Sequence, residues 1–292
     1  MSEQRSEQST EAVPAPANVV AVLGRGLVDA DAPIVRADDA GLTRGDGCFE
    51  GLHVRDGVVT KLDAHLARMA RSAAALGLEF DTAAWRELVA TAVTAWPESG
   101  EGALKLVLTR GAADGRPTGF AFLTVVAPAA IRQRGEGVRV ISLQRGVTSA
   151  AFTDAPWLLG GVKTLSYAIN MAAGREAERR GADDVLFVSA DGYALETPTG
   201  SLVWAAGGTL HTTPTGATGI LAGTTQRLLF DNADATGWRT ANTLAHLDEL
   251  HAADALWIVS SVRGPVEVIE LDGVARSRSP HLDGEIKRFC DF

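Results

Sequence analysis

Apolar positions along the chain fall into two kinds of pattern, short runs broken by glycine and stretches with helical spacing. The runs "VVAVLGRGLVDA" and "GLHVRDGVVTKL" predict strands, and the Asp56-Gly57 pair in the second predicts a hairpin turn. A helix is expected after Asp63, which can cap it, because apolar residues recur there at helical spacing: Leu66, Met69, Ala70 and Ala73. The segment "DTAAWRELVATAVTAW" predicts a second helix that stops at Pro97, and the strands "ALKLVLTRG" and "FAFLTVVAP" follow.

The second half of the chain continues this mixture of strands and helices. "VRVISL" predicts a strand, residues 163–180 a helix ended by Gly181, and "DDVLFVSADGYALE" a hairpin that turns at Asp191-Gly192. "GILAGTTQRLLFDNADATG" is typical of a glycine loop that runs directly into a helix, and "ALWIVSSVRGPVEVIELDG" supplies the last strands. Hairpins with helices between them favour an α+β fold over a doubly wound parallel sheet.

Local composition divides the chain into a tail and two predicted domains. Residues 1–17 are polar and contain proline without an apolar core, so we expect a disordered tail and not a signal peptide. The polar segment "APAAIRQRGEGVRV", with its proline and glycines, predicts an interdomain linker. We therefore expect a small N-terminal α/β domain over 18–130 and a larger, β-rich C-terminal domain with helices over 131–292.

The bulk composition of the 292 residues is that of an ordinary globular protein, with 46% hydrophobic and 22% charged residues. A net charge of −9 argues against binding to nucleic acid or to an anionic membrane. No apolar run approaches the roughly 20 residues of a membrane-spanning helix, and Cys48 and Cys290 are too few for a disulfide framework. We expect a cytoplasmic protein that acts on a small molecule.

The segment "AGTTQRLLF" offers a candidate anion site. Gly223 allows the backbone to approach closely, and Thr224 and Thr225 add hydroxyls to the free N–H groups of a helix start, a combination that suits phosphate. A threonine that only caps the helix is the alternative. His65 and Arg68 are three residues apart on a predicted helix, so Arg68 can supply a bidentate phosphate contact if their shared face points inward. If that face points outward, the arginine is solvated.

Lys163 lies beside two glycines and several apolar residues in "GGVKTLSYAIN". It is either an ordinary surface lysine or an amine desolvated enough to act as a nucleophile. Glu196 follows a strand and a hairpin, where it can pair with a cation or stay exposed in the turn. The six histidines lack metal-ligand spacing, so no metal site is predicted, and the chain contains no Walker A sequence, dinucleotide fingerprint or GxSxG elbow.

The order of these motifs resembles that of the class IV, or fold-type IV, pyridoxal-phosphate enzymes over about residues 20–275. The segments that carry the resemblance are "DDAGLTRGDGCFEGLHVRDG", "HLARMARSAAAL", "KTLSYAINMAAGREAERRGADDVLFVSADGYALET", "GILAGTTQRLLF" and "ADALWIVSSVRGPVEV". The family includes branched-chain aminotransferases, D-amino-acid aminotransferases and 4-amino-4-deoxychorismate lyases. The resemblance implies the two-domain fold of the D-amino-acid aminotransferases, pyridoxal 5'-phosphate (PLP) as the cofactor and a homodimer as the assembly.

The same resemblance assigns roles to the candidate residues. Lys163 matches the lysine that forms a Schiff base with PLP and then moves protons, and Glu196 matches the glutamate that pairs with the pyridine nitrogen. Tyr167 falls where branched-chain enzymes carry a tyrosine near the phenolic oxygen of the cofactor. The implied phosphate-binding residues are Arg68, Thr224, Thr225, Ser260 and Ser261. The chain departs from the family pattern at "TPTGSLVW", where many relatives have an asparagine, and at "GTTQ", where "G-I/V-T-R" is more usual.

The expected reaction also follows from the resemblance. "GDGCFE", "LKLVLTRG" and "AADGRPTG" are similar to the lyase subgroup, in which a loop arginine meets a substrate carboxylate, and Arg110 and Arg116 are the candidates. We therefore expect a 4-amino-4-deoxychorismate lyase, which expels pyruvate from its amine substrate and forms 4-aminobenzoate for folate synthesis. An amino-acid aminotransferase, branched-chain or D-specific, is the alternative that Tyr167 favours. A binding module without catalysis is disfavoured, because both Lys163 and Glu196 are present.

Overall fold

The part of the chain that the structure describes contains two β-sheets, each with its own apolar core. The computed structural model describes residues 18–96, 100–113 and 115–292. The predicted tail over 1–17 and the predicted helix stop at Pro97 lie outside the described residues. Within the described part of the chain, no helix is both long and apolar enough to cross a membrane.

The first sheet is antiparallel throughout. Its strands are β1 (Val19–Val22), β2 (Gly26–Val28), β3 (Gly47–Arg55), β4 (Val58–Val59), β5 (Glu101–Thr109) and β6 (Thr118–Val125). They lie in the order β2-β1-β6-β5-β3-β4, and the helices of this half are α1 (Ala40–Arg44), α2 (Leu62–Ala75) and α3 (Thr82–Thr94). The predicted hairpin at Asp56-Gly57 is confirmed, since these residues have φ of 50° and 74°, as a tight turn between β3 and β4 requires.

Helix α2 buries polar and apolar residues together. Its apolar stripe is confirmed, because Leu66, Met69 and Ala73 are buried against the first sheet. The same helix also buries His65, Arg68 and Ser72. The prediction that Asp63 caps this helix is wrong: Lys61 precedes the first turn, and Asp63 lies inside that turn and pairs with Arg86. Helix α2 therefore presents three polar side chains to the interior of the protein.

The segment predicted as an interdomain linker, 127–140, forms helix α4 (Pro128–Glu136) and the start of a strand. A proline at the first helical position already has the φ that a helix start needs, and Gly137, at φ 80°, ends the helix. The expected boundary near residue 130 falls within α4. Arg134 donates to both carboxylate oxygens of Glu101 on β5, at 2.8 and 2.7 Å, so this helix is fastened to the first sheet.

The second sheet is mixed. Its strands are β7 (Val138–Gln144), β8 (Asp184–Val188), β9 (Ser201–Ala206), β10 (Thr209–Thr212), β11 (Arg239–Asn242), β12 (Ala255–Ser260), β13 (Gly264–Leu271) and β14 (Val274–Ala275). They lie in the order β11-β10-β9-β12-β13-β7-β8, with β14 beside β13. The pairs β10–β11, β7–β13 and β7–β8 are parallel and the others antiparallel.

The helices of this half are α5 (Ala168–Arg179), α6 (Thr224–Ala235), α7 (Leu247–Ala252) and α8 (Pro280–Phe289), with a 3₁₀ turn at Pro156–Leu158. Two sheets with helices set between their strands confirm the predicted α+β class.

Helix α5 begins at Ala168 and not at Lys163 as predicted, although it ends as expected, with Gly181 at φ 74° beyond its last turn. The residues before it are not helical and lie against β3. Thr164 forms an isolated antiparallel bridge with Cys48, and the N–H of Leu165 donates to the carbonyl of Gly47 at 2.9 Å. Pairing with a distant strand thus competes successfully with the local helical tendency.

Candidate active site

Lys163 lies on the non-helical segment before α5, docked against the first sheet. Its N–H donates to Ser72 Oγ of α2 at 3.2 Å, and its carbonyl accepts from the N–H of Phe49 at 3.0 Å. The backbone of the lysine is therefore held on both sides by groups of the first sheet and its helix.

The amine of Lys163 is flanked by two aromatic rings. Its Nζ is 4.4 Å from the ring centroid of Phe49 and 5.5 Å from that of Tyr167, and the two rings meet edge to face at 5.1 Å. Burial lowers the pKa of Lys163 to about 8, and the nearby charge of Arg68 adds to this effect while Glu50 and Glu196 oppose it. A large fraction of the amine is therefore neutral near pH 8, the form that acts as a nucleophile or a base.

Glu196 approaches Lys163 from the second sheet. The turn predicted at Asp191-Gly192 is confirmed, with Gly192 at φ 93°, and the chain after it returns along β8, where the N–H of Phe187 donates to the carbonyl of Glu196 at 2.9 Å. The carboxylate Oε2 accepts from the N–H of Leu221 at 3.1 Å, whereas Oε1 has no hydrogen-bond partner within the described ranges. Burial raises the pKa of Glu196 to about 7, although the Leu221 N–H and Lys163 act in the opposite direction.

Arg68 is anchored by Glu50, a buried carboxylate on β3. Glu50 is 0% exposed and accepts from Nε and Nη2 of Arg68, both at 2.7 Å, and from Nδ1 of His65 at 2.8 Å. Burial by itself raises the pKa of Glu50, but these hydrogen bonds outweigh it and lower the pKa to about 2. The sequence pattern did not single out Glu50. The available signal was one acidic residue inside the otherwise apolar strand "CFEGLHV".

His65 connects this carboxylate to a group of hydroxyls. Because an ionised carboxylate only accepts, Nδ1 of His65 carries a proton toward Glu50. Burial lowers the pKa of His65, with Glu50 opposing it, so the ring is neutral at pH 7 and Nε2 is an acceptor. That Nε2 lies 3.1 Å from Ser261 Oγ and 3.3 Å from Thr224 Oγ1.

The hydroxyls meet at the N terminus of α6. Ser261 Oγ lies 3.1 Å from Thr224 Oγ1 and 3.2 Å from Thr225 Oγ1. The helix starts directly after Gly223, which is its N-cap, so the alternative in which a threonine caps it is wrong. A Cβ at Gly223 would lie 2.4 Å from Ser201 Oγ, so the serine hydroxyl would have to move. The first N–H groups of α6 are thus left without a side-chain cap.

Arg68 completes this end of the site. Its Nη1 donates to the carbonyl of Ala222 at 2.9 Å, so three of the five N–H groups of the guanidinium have acceptors. One N–H on each terminal nitrogen has no acceptor in the described part of the chain. Together with the hydroxyls and the helix start, these form an anion site. Ser260 ends β12 and makes no side-chain hydrogen bond to any described residue, so only Ser261 of the predicted pair joins this cluster.

The remaining candidates lie farther out. The hydroxyl of Tyr167 donates to the carbonyl of Pro198 at 2.5 Å. Arg110, at the end of β5, donates to the carboxylate of Asp46 at 2.6 and 3.1 Å and to the carbonyl of Leu76 at 2.6 Å, so its guanidinium is already bound within the first half of the chain. Arg116 is exposed in the loop between β5 and β6. The structure therefore brings neither arginine into the cluster around Lys163.

Comparison with known proteins identifies the family. A model described as amino-transferase class IV matches residues 47–271. The chain belongs to this family. A protein of Mycobacterium tuberculosis named bifunctional aminodeoxychorismate lyase / D-amino acid transaminase is 39% identical to this class IV chain over 272 residues, which cover 90% of this chain and 94% of the relative.

Two solved structures are similar along nearly the whole length of the class IV chain. A fold IV-transaminase from Curtobacterium pusillum is 42% identical, with a TM-score of 0.88 over 94% of this chain and 97% of its own. A hypothetical aminotransferase from Mycobacterium tuberculosis, in its α-ketoglutarate- and PMP-bound form, is 38% identical, with a TM-score of 0.90 over 94% of this chain and 97% of its own. These likenesses confirm the fold-type IV architecture.

Class IV aminotransferases use PLP, and this protein is a PLP-dependent enzyme. The groups present fit that cofactor. The hydroxyls, helix N–H groups and arginine at the start of α6 can bind the phosphate of PLP. Oε1 of Glu196, which has no hydrogen-bond partner among the described residues, can accept from the protonated ring nitrogen. The amine of Lys163 can react with the aldehyde. No group of three or more His, Cys, Asp or Glu that could hold a metal occurs among the described residues.

Proposed function

We propose that Lys163, Glu196 and the start of α6 bind PLP. Nζ of Lys163 is the attachment point, and Oε1 of Glu196 accepts the proton of the ring nitrogen. The phosphate is held by the two free N–H groups of Arg68 together with Thr224, Thr225 and Ser261. When bound, PLP withdraws electrons from the substrate carbon that carries the amino group and makes its C–H bond acidic. Nζ of Lys163, with about half of the amine neutral near pH 8, is the base that removes that proton.

The reaction that we propose is the conversion of 4-amino-4-deoxychorismate into pyruvate and 4-aminobenzoate. Nζ of Lys163 removes the proton from the ring carbon that bears the amino group, the C–O bond to the enolpyruvyl group breaks, and the ring becomes aromatic. The enolpyruvate leaving group takes up a proton and becomes pyruvate. The observation that carries the proposal is the partly neutral amine held between the rings of Phe49 and Tyr167, because these apolar faces suit a cyclic substrate that becomes a planar aromatic product. The likeness to the bifunctional mycobacterial relative supports it.

D-Amino-acid transamination is the second candidate. It is favoured by the second half of that relative's name and by the solved relative that binds α-ketoglutarate and PMP. Here Nζ of Lys163 removes the Cα proton of an amino acid, whose amino group is then passed to a 2-oxo acid. A branched-chain aminotransferase has less support, because Tyr167, which favoured it, gives its single hydroxyl proton to the carbonyl of Pro198.

One experiment separates these reactions. PLP-loaded protein is incubated with 4-amino-4-deoxychorismate in the absence of any 2-oxo acid, and pyruvate and 4-aminobenzoate are measured separately. Equal amounts of both products support the lyase. A parallel incubation contains D-alanine and α-ketoglutarate, with L-alanine as the matched control. If D-alanine is consumed and no 4-aminobenzoate forms, the lyase proposal is wrong and the transaminase stands. Lys163→Ala is the blank for both, since an activity that survives in it comes from a contaminant.

We also propose that the enzyme is a homodimer. Large apolar side chains are exposed on both sides of Lys163 in the sequence, namely Trp157 at 74%, Ile169 at 58% and Met171 at 55%. Leu42, 66% exposed, belongs to α1, whose C-cap residue accepts a hydrogen bond from Ser166 at 3.4 Å. Such a concentration of exposed apolar groups is typical of an interface. Sedimentation is expected to give twice the 30.6 kDa of one chain, and a Trp157→Glu variant that remains equally dimeric would contradict this surface.

A further inference from the structure

The two reactive groups of the proposed site are carried by different sheets. The segment of Lys163 pairs with β3 of the first sheet through the Phe49 N–H at 3.0 Å and through the carbonyl of Gly47 at 2.9 Å. Glu196 follows the hairpin of β8 in the second sheet. The separation between the amine and the carboxylate therefore depends on the contacts that join these two segments.

One backbone carbonyl accepts side-chain hydrogen bonds between them, and the N–H of Gly161 adds a backbone hydrogen bond to the carbonyl of Gly219 at 2.9 Å. The carbonyl of Pro198, two residues beyond Glu196, accepts from Tyr167 Oη at 2.5 Å and from Asn170 Nδ2 at 2.8 Å. Within the described ranges, the other side-chain hydrogen bonds of residues 163–170 go to the first half of the chain. Pro198 is buried, so its carbonyl depends on these two donors instead of bulk water.

The hydroxyl of Tyr167 is committed to this contact. It has one proton, and that proton lies on the hydrogen bond to Pro198, which leaves the phenolic oxygen as an acceptor only. Burial raises the pKa of Tyr167 to about 12, with Glu196 adding to the effect and Arg68 and Asn170 opposing it. The hydroxyl therefore stays protonated, and remains a donor, at neutral pH.

We propose that Asn170 and Tyr167 are positioning residues that hold the Lys163 segment at a fixed separation from Glu196 through their shared hydrogen bonds to the carbonyl of Pro198. Neither side chain needs to touch the reacting atoms for this role. With both donors removed, the lysine segment keeps its contacts with β3 but loses its side-chain hydrogen bonds to the second half of the chain. Water then reaches Nζ, and the environment that disfavours the charged amine is weakened. This role does not depend on whether the enzyme is a lyase or a transaminase.

The test measures the pKa of Lys163 in the full-length chain without PLP. The protein is acetylated with limiting acetic anhydride at a series of pH values, and the modified Lys163 peptide is quantified by mass spectrometry. Asn170→Leu keeps the branched shape of asparagine without its N–H groups, Tyr167→Phe keeps the ring without its hydroxyl, and the double variant removes both donors.

Burial holds the pKa of Lys163 at about 8 against its ordinary 10.5, so opening the segment raises it. We expect an upward shift of about half a unit in each single variant and more than the sum in the double variant. Asn242→Leu, on the exposed strand β11, is the matched control and leaves the pKa unchanged. The proposal is overturned if the double variant has the unfolding temperature of the parent and also the parent's pKa at Lys163. It is also overturned if the control raises the pKa of Lys163 by the same amount. Because the pKa is measured without PLP, the result does not depend on whether the variants keep either enzymatic activity.

Discussion

Glu50 provides the sharpest test of the electrostatics of the site. It is fully buried and accepts three hydrogen bonds, two from Arg68 and one from His65. Glu50→Gln preserves the shape of the side chain but removes its charge and turns an NH₂ group toward groups that are themselves donors. We expect the variant to be less stable, because the guanidinium of Arg68 keeps its charge in a buried position without a partner.

The size of the loss follows from the pKa of Glu50. A pKa of about 2 in the folded protein against an ordinary value of 4.5 corresponds to about 3 kcal/mol in favour of folding, at ~1.4 kcal/mol per unit. Breaking a buried ion pair typically costs about 3–5 kcal/mol, which is of the same order. Because folding lowers this pKa, the stabilisation is complete above pH 4.5 and is lost as the pH falls toward 2.

Equilibrium urea denaturation of the full-length chain at pH 7 measures the effect. The matched control is Glu176→Gln on α5. Glu176 accepts from Arg179 at 2.7 Å and from Arg180 at 2.6 Å, and these hydrogen bonds also lower its pKa to about 2. It lies on the surface, however, where water replaces lost partners, so we expect this control to unfold at the same urea concentration as the parent. Glu50→Gln is expected to lose about 3 kcal/mol.

Two outcomes would refute this reasoning. If both glutamine variants unfold at the urea concentration of the parent, burial is not what makes the ion pair of Glu50 strong. If Glu50→Gln is destabilised by the same amount at pH 7 and near pH 3, the loss does not come from ionisation. A destabilisation that shrinks as the carboxylate of the parent is titrated agrees with the mechanism.

Three further predictions concern the amine, the carboxylate and one glycine. The rate of PLP attachment to the PLP-free chain should rise with pH around a midpoint of about 8, because the neutral amine of Lys163 reacts. A rate that stays constant from pH 7 to 9 contradicts this prediction. So does a pyridoxyl adduct that forms on Lys163→Ala after borohydride reduction. Glu196→Gln should keep PLP but lower kcat roughly 100-fold, since a neutral amide stabilises the ring N–H⁺ less than a carboxylate does; unchanged kcat counts against that role. Gly219→Ala should cost about 2 kcal/mol or more in thermal unfolding, since its φ is 70° and a Cβ would lie 2.3 Å from the ring of Phe152. Gly207→Ala, at φ 57° in open space, should cost less, and equal losses would show that the ring contact does not matter.

Local chemistry in the sequence was sufficient for much of the fold. The hairpins at Asp56-Gly57 and Asp191-Gly192 form as predicted, because the positive φ of these turns is a property of the residues themselves. Helix α6 starts at the glycine loop for a similar reason. The end of α5 at Gly181 is also determined by adjacent residues. Its start is not, because the preceding segment pairs with the distant strand β3. The order of the motifs was also enough to indicate the class IV family, which the match over residues 47–271 confirms.

The site itself depends on contacts between residues far apart in the chain. Helical propensity placed Lys163 inside a helix, yet its segment pairs with β3, more than a hundred residues earlier. Glu50 is an acidic residue in a largely apolar strand, and only the tertiary structure shows its role, because α2 brings Arg68 against it. Arg110, a candidate for binding the substrate, is bound by Asp46, which lies 64 residues earlier in the chain.

The sequence by itself therefore determined the turns, most of the strands and helices, and the family. The tertiary structure decided which polar groups are buried and which partners they have. The physical reason is that turn geometry depends on a few adjacent residues, whereas the burial, charge state and hydrogen bonding of Lys163, Glu50 and Glu196 are set by groups that only folding brings near them.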